Sequence, residues 1–162
     1  MALTEFTTPD SIRSVLGVSA KELEDTTLLQ KRYETMLIED VLALHAQMLE
    51  DFRTTFALPT KTDDEQRFLD LFEAFAAHQV AKQCLGSIEM FAPRRITDGK
   101  SELERSTDPY KRLRDDVAAV LNILRIRLRE AYARINPDAT PPAPAERLAA
   151  IVSTPAFNPI TG

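Results

Sequence analysis

Histidine, cysteine and paired carboxylates carry most nucleophilic, acid–base and metal chemistry at neutral pH. The chain has two histidines, His45 and His78, and one cysteine, Cys84. Glu39 and Asp40 precede His45, and Glu73 precedes His78, all within stretches of helical periodicity. Glu73 and His78 are five residues apart, so a helix places them on different faces. A di-iron bundle needs a Glu-x-x-His pair on each of two helices. That spacing does not occur, nor does an HExxH pair, an EF-hand loop or a paired-cysteine set. Four glycines leave little for a phosphate-cradling loop. Cys84 falls on an apolar stripe, where a buried, inert thiol is expected. No catalytic, cofactor-binding or metal-binding residue is assigned, and the chain is not expected to be an enzyme.

Charge carries more information than chemistry. Residues 1–92 hold 8 Lys/Arg against 16 Asp/Glu, and residues 93–135 hold 11 against 7. An acidic half followed by a basic one favours contact between faces, within one fold or between copies. With a net charge of −5, the chain does not have the basic balance of a general polyanion binder. Arg125, Arg127 and Arg129 alternate along the last helical stretch, which fans them over its outer face. Two uses lead, a solvated, acid-paired face or a contact with an acidic helix of a neighbouring subunit; phosphate binding ranks third, since Trp is absent and no aromatics are interleaved with the basic residues.

The elements that position these residues read as helices. The 162 residues are 44% hydrophobic and 28% charged, as expected of one folded domain with one core. No apolar run approaches the ~18 residues of a membrane helix. The start, Met1 to Phe6, lacks the pattern of a signal peptide. A single cysteine makes no internal disulfide, which suits a reducing compartment.

Glycine and proline are absent from 18–58 and 60–85, whereas six of ten prolines lie in the last 26 residues. This divides the chain into a helical bundle domain, 1–136, and an extended Pro-rich C-terminal arm, 137–162. The fold class is all-α: three long antiparallel helices plus a short N-terminal one. The short helix has Thr8 as N-cap, Pro9 at its first position and Gly17 as its stop. Ser19 to Glu22 has capping-box spacing. The second helix is expected over 27–56, with the stripe Leu29, Tyr33, Leu37, Val41, Leu44, Met48 and Phe52. Leu28, Met36, Leu42 and Leu49 widen it. The third opens with the capping box Thr62 to Glu65 and carries Phe68, Leu71, Phe72, Phe75, Val80, Cys84 and Ile88. The fourth follows Asp108-Pro109, runs through Leu113, Val117, Val120, Leu121, Leu124, Leu128 and Ala131 to Ile135, and stops at Asn136-Pro137. Between the last two helices, residues 92–107 form a long basic loop with an Asp98-Gly99 turn.

The opening Phe6-Thr-Thr-Pro-Asp-Ser-Ile-Arg-Ser-Val-Leu-Gly-Val-Ser-Ala-Lys-Glu-Leu resembles the start of head-to-tail connector (adaptor) proteins of tailed bacteriophages. There, a short helix and a Gly-Val-Ser-x-x-Glu-Leu turn precede a long helix. Ile96-Thr-Asp-Gly-Lys100 is similar to that family's Ile-Ser-Asp-Gly-Lys loop. Tyr110 and the Leu-x-x-Arg-Leu-x-x-Ala pattern of Leu124, Arg127, Leu128 and Ala131 also match. The ending Asn158-Pro-Ile-Thr-Gly162 resembles an Asp-Pro-hydrophobic-Thr-Gly terminus. Thr97 and Asn158 depart from the family's Ser and Asp. The resemblance spans nearly the whole chain through short motifs.

It implies a structural virion protein made in the host cytoplasm and placed in the neck, between head and tail. Copies form a ring, commonly of twelve, beneath the portal protein. The ring extends the DNA channel and joins the next neck or tail protein. DNA passes without specific binding, and no cofactor or membrane is involved. Glu50, Asp51, Asp63 and Asp64 are candidates for the channel wall. Arg94, Arg95 and Lys100 are expected to meet a neighbouring copy or the portal. The arm carries Ile151, Pro155, Phe157, Pro159 and Ile160 as partner-binding residues. Its prolines preset φ and remove N–H donors, which favours docking by side chains over strand addition. The alternative is a small helical protein–protein interaction module with a Pro-rich recognition tail.

Overall fold

A computed structural model of the chain describes residues 2–88, 95–97, 102–104 and 111–137. A 3₁₀ turn, Leu3–Glu5, leads into α1 (Pro9–Leu16), α2 (Asp25–Leu28), α3 (Lys31–Leu44), α4 (Met48–Ala57) and α5 (Asp63–Ile88). Two short strands follow, β1 (Arg95–Thr97) and β2 (Glu102–Glu104), and then α6 (Lys111–Ile135). The described chain is all-α apart from this one hairpin. The Pro-rich arm and the Asp108-Pro109 cap lie outside the described residues.

Local signals set the helix ends. The Thr8 side chain accepts from the Ser11 N–H at 3.1 Å, with Pro9 behind it. Gly17 stops α1 in the left-handed region, at φ 68°. Glu22 accepts from the backbone N–H and the hydroxyl of Ser19, both at 2.8 Å. These two bonds pull the Glu22 carboxyl below its ordinary range. Thr62 and Glu65 close a reciprocal capping box at 2.7 and 3.3 Å, with the same effect on Glu65.

The long second helix is not formed. It is divided into α2, α3 and α4, with extended backbone at Gln30 and His45. The stripe survives the division: Tyr33, Leu37, Val41, Leu44, Met48 and Phe52 are all buried, and only Leu29 is exposed. On the flank, Leu28 and Leu49 are buried, while Met36 and Leu42 face solvent. The contacts of α3 and α4 run along α5 in the reverse direction, while α2 lies against α1. Arg32 donates to Ser87 at 3.2 Å, Gln79 donates to Asp40, and the Phe52 ring lies 4.1 Å from that of Phe72.

Helix α5 is buried over a broad face rather than along one narrow stripe, with Gln66, Asp70 and Glu73 left exposed on the other side. Leu69, Ala76, Ala77, Ala81 and Leu85 are buried beside the expected Phe68, Phe72, Phe75, Val80 and Cys84. α6 packs along it antiparallel, since Tyr132 and Arg134 near its end meet Phe68 and Asp64 near the start of α5. α1 lies against α5 through the Ser11–Glu73 bond of 3.0 Å, and Phe6 caps the cluster, 5.8 Å from Phe72.

Gly17→Ala tests the stop of α1. Nothing lies within 4 Å of the added Cβ, so the cost is backbone strain alone. A loss of about 1 kcal/mol is expected, read as a lower urea midpoint at unchanged slope.

Candidate partner-binding surfaces

Of the residues expected to bind partners, only Arg95 falls within the described chain. Arg94, Lys100, Ile151, Pro155, Phe157, Pro159 and Ile160 lie outside the described residues. The stretch read as a basic loop contains antiparallel β1 and β2. Their register sets Arg95 opposite Glu104, Ile96 opposite Leu103 and Thr97 opposite Glu102. This hairpin brackets the Asp98-Gly99 turn signal.

The groups suited to chemistry are engaged in structure. His78 Nδ1 donates to the Ala74 carbonyl at 2.8 Å, within its own helix. His45 stands at the break between α3 and α4. Its Nδ1 accepts from the Gln47 N–H at 3.2 Å, and its ring lies tilted against that of Tyr132, 4.9 Å between centroids. Burial pushes the Cys84 thiol up, against the smaller opposing effects of Tyr33 and Arg32. A protonated, enclosed thiol is a poor nucleophile. Among the described residues, no three His, Cys, Asp or Glu side chains gather as a metal site. None of the described helices is long and apolar enough to cross a membrane.

Several charges expected on outer faces hold the fold instead. Arg125 pairs with Asp40 at 3.7 Å, and Asp40 also accepts from Gln79, so α3, α5 and α6 meet at one carboxylate. Asp51 accepts from the Tyr132 hydroxyl and from Asn136 Nδ2 at 3.2 Å. Asp64 pairs with Arg134 at 3.6 Å, and Glu50 lies 3.9 Å from Arg53. Asp51 and Asp64 therefore serve α6 within the subunit. Arg13 is 6% exposed and fully employed: it donates to the Leu23 carbonyl at 2.8 Å, to Asp10 at 2.9 Å and to Asp25. These bonds fold the Gly17–Leu23 turn back onto α1.

Two outer features were not singled out by sequence periodicity. The first is a groove of about 320 Å³ between the N-terminal turn, α4 and α5. Phe6, Phe52 and Leu69 floor it, and the half-open Phe56, 63% exposed, stands at its edge. A second depression continues it along α5 to His78, and Asp70 and Glu73 line both. The second feature is a ridge on α6, where Val120, Ile123 and Ile126 are 40%, 49% and 59% exposed. Val120, expected on the core stripe, lies at its edge, about 80° round the helix from Leu128.

The chain was compared with models of protein families, with curated proteins and with solved structures, and it matches none of them.

Tyr132 offers a test of the Asp51 node. Burial, then the bonded Asp51 carboxylate, raises the phenol well above its ordinary value of 10.0. The folded chain thus favours the neutral phenol. That stability is complete below the ordinary value and is lost as pH rises toward the folded one. Tyr132→Phe is expected to cost about 2 kcal/mol near neutrality. Between about pH 9 and 11 the wild type should lose more stability than the variant, as measured by urea denaturation.

Proposed function

We propose that this chain is a head-to-tail connector of a tailed bacteriophage: a structural protein that forms a ring under the portal, extends the DNA channel and joins the tail. The observation that carries this reading is the order of the motifs along the chain. A short capped helix is followed by Gly17-Val-Ser-x-x-Glu-Leu23, a helical body, Ile96-Thr-Asp-Gly-Lys100, a basic helix and an Asn-Pro-Ile-Thr-Gly end. Two structural features support it. Gly17, Ser19, Glu22 and Leu23 are each used in the turn after α1, the glycine for its φ and the others as bond partners. The Asp98-Gly99 signal falls between two paired strands, as a presented loop requires.

A ring of identical subunits needs two different, complementary faces. The acidic N-terminal half and the basic α6 are suited to supply them. The net −5 of each copy, repeated around a lumen, disfavours stalling of DNA by attraction. In this reading Arg94, Arg95 and Lys100 meet acids of a neighbour or the portal, where pairs count as a network more than singly. The arm from Pro137 to Gly162 is the attachment element, with Phe157 as chief anchor and Ile151, Pro155, Pro159 and Ile160 around it.

Two experiments test this reading. Deleting residues 150–162 should leave a helical subunit that no longer joins portals, so that complementation of a connector-deficient phage gives heads without tails. Tailed, infectious particles at normal titre would overturn the arm's role. Changing Arg94, Arg95 and Lys100 together to Glu should abolish ring assembly on portals, seen by electron microscopy, with the circular dichroism of the subunit unchanged. If the full-length chain is missing from the necks of purified virions, the connector reading itself fails.

A further inference from the structure

The groove and the ridge lie on opposite sides of α5. Asp64 and Phe68 face α6, through Arg134 and Tyr132. Gln66 and Asp70 stand two residues further on, about 200° round the helix, and both line the groove. The outer ridge of α6 points away again from α5, because the same helix buries Leu121, Leu124 and Leu128. One subunit therefore presents a hollow on one side and a convex apolar stripe on the other.

Their dimensions and charges correspond. The two depressions follow α5 from Gln66 to His78, about 18 Å of helix, while Val120 to Arg127 spans about 10 Å. Asp70 and Glu73 are exposed, and their bonds go to the neutral partners Gln66, at 2.8 Å, and Ser11, at 3.0 Å. No cation among the described residues pairs with either, and Lys61, which stands over the Phe56 ring at the other end of the groove, is bonded to the Leu58 carbonyl at 2.8 Å. On the ridge, Arg127 and Arg129 are exposed beside Ile123 and Ile126, with no ion pair among the described residues. An aromatic-floored hollow rimmed by carboxylates suits an apolar helix face bearing arginines. The Phe157–Ile160 end of the arm, which has no cation within it, lacks that complement.

We propose that the α6 ridge of one copy docks into the α5 groove of a second copy, Ile123 and Ile126 against Phe56 and Leu69, with Arg127 and Arg129 over Asp70 and Glu73. This rests on the connector reading for its biological setting, and it names the two faces through which neighbours in the ring meet. The contact is head-to-tail, because each copy offers a different surface to each neighbour.

Two single variants test it, each on an exposed residue: Ile123→Asp on the ridge and Phe56→Asp in the groove. Sedimentation velocity at several hundred micromolar should show the wild type self-associating, and each variant alone at least ~tenfold weaker. Mixed in equal amounts, the two variants should form a 1:1 heterodimer that does not extend, since one intact ridge and one intact groove remain. A wild type that stays monomeric overturns the docking, and so does a Phe56→Asp variant that associates normally. The latter result would assign the ridge to a ridge-on-ridge dimer or the groove to the arm. The two readings fail separately. Rings that still form on portals from either variant remove this interface and leave the connector. A heterodimer from the mixture, with the chain absent from virion necks, removes the connector and leaves the interface.

Discussion

Phe72 has no exposed surface, and its ring lies 4.1 Å from Phe52 of α4, 5.8 Å from Phe6 of the N-terminal turn and 6.0 Å from Phe68 one turn back. Phe68 in turn touches Tyr132 of α6 at 5.7 Å. Aromatic rings of this size contribute more buried area than any other side chains, and their tilted and stacked contacts fix relative orientation. The start of α5 is consequently the point where the N-terminal turn, α4 and α6 are held together. With alanines at 76, 77 and 81 permitting close approach further along, α5 becomes an axis buried over a broad face and open on the side of the groove. The placement of the groove on one side of the molecule and the ridge on the other follows from that.

Charged side chains fasten the outer elements to this axis. Asp40, Asp51 and Arg13 each join segments distant in sequence, and each is supplied with partners that offset the loss of water. Their geometry is specific in a way that apolar contact alone is not. Asp51 with Tyr132 and Asn136 ties the end of α6 to α4, and Arg13 with Asp10, Asp25 and the Leu23 carbonyl fixes the turn after α1.

Among the described residues the groups suited to chemistry are engaged, and two outer surfaces stand out. Both histidines are engaged in local bonds, the thiol is enclosed, and the two conspicuous outer features are an acidic aromatic hollow and a basic aliphatic ridge. These features are consistent with the connector reading, which comes from the motif order.

Much of the fold was legible in the residues themselves. Thr8-Pro9, Gly17, Ser19 to Glu22, Thr62 to Glu65 and the stop at Asn136 each act through neighbours within four positions, so sequence alone determined those ends. Six of the seven stripe residues from Leu29 to Phe52 were recognisable as core because burial follows helical period. The breaks at Gln30 and His45 were not legible, since no glycine or proline marks them. They divide a segment whose pieces pack on different neighbours, α2 on α1 and α3 and α4 on α5, an arrangement that no local preference encodes. The same holds for Asp40, Asp51 and Arg125, whose partners are 39 to 85 residues away or on another helix. The groove belongs to this second class as well: Phe6, Phe56 and Asp70 are unremarkable in sequence, and only the packing of three elements around one buried helix brings them to a common wall.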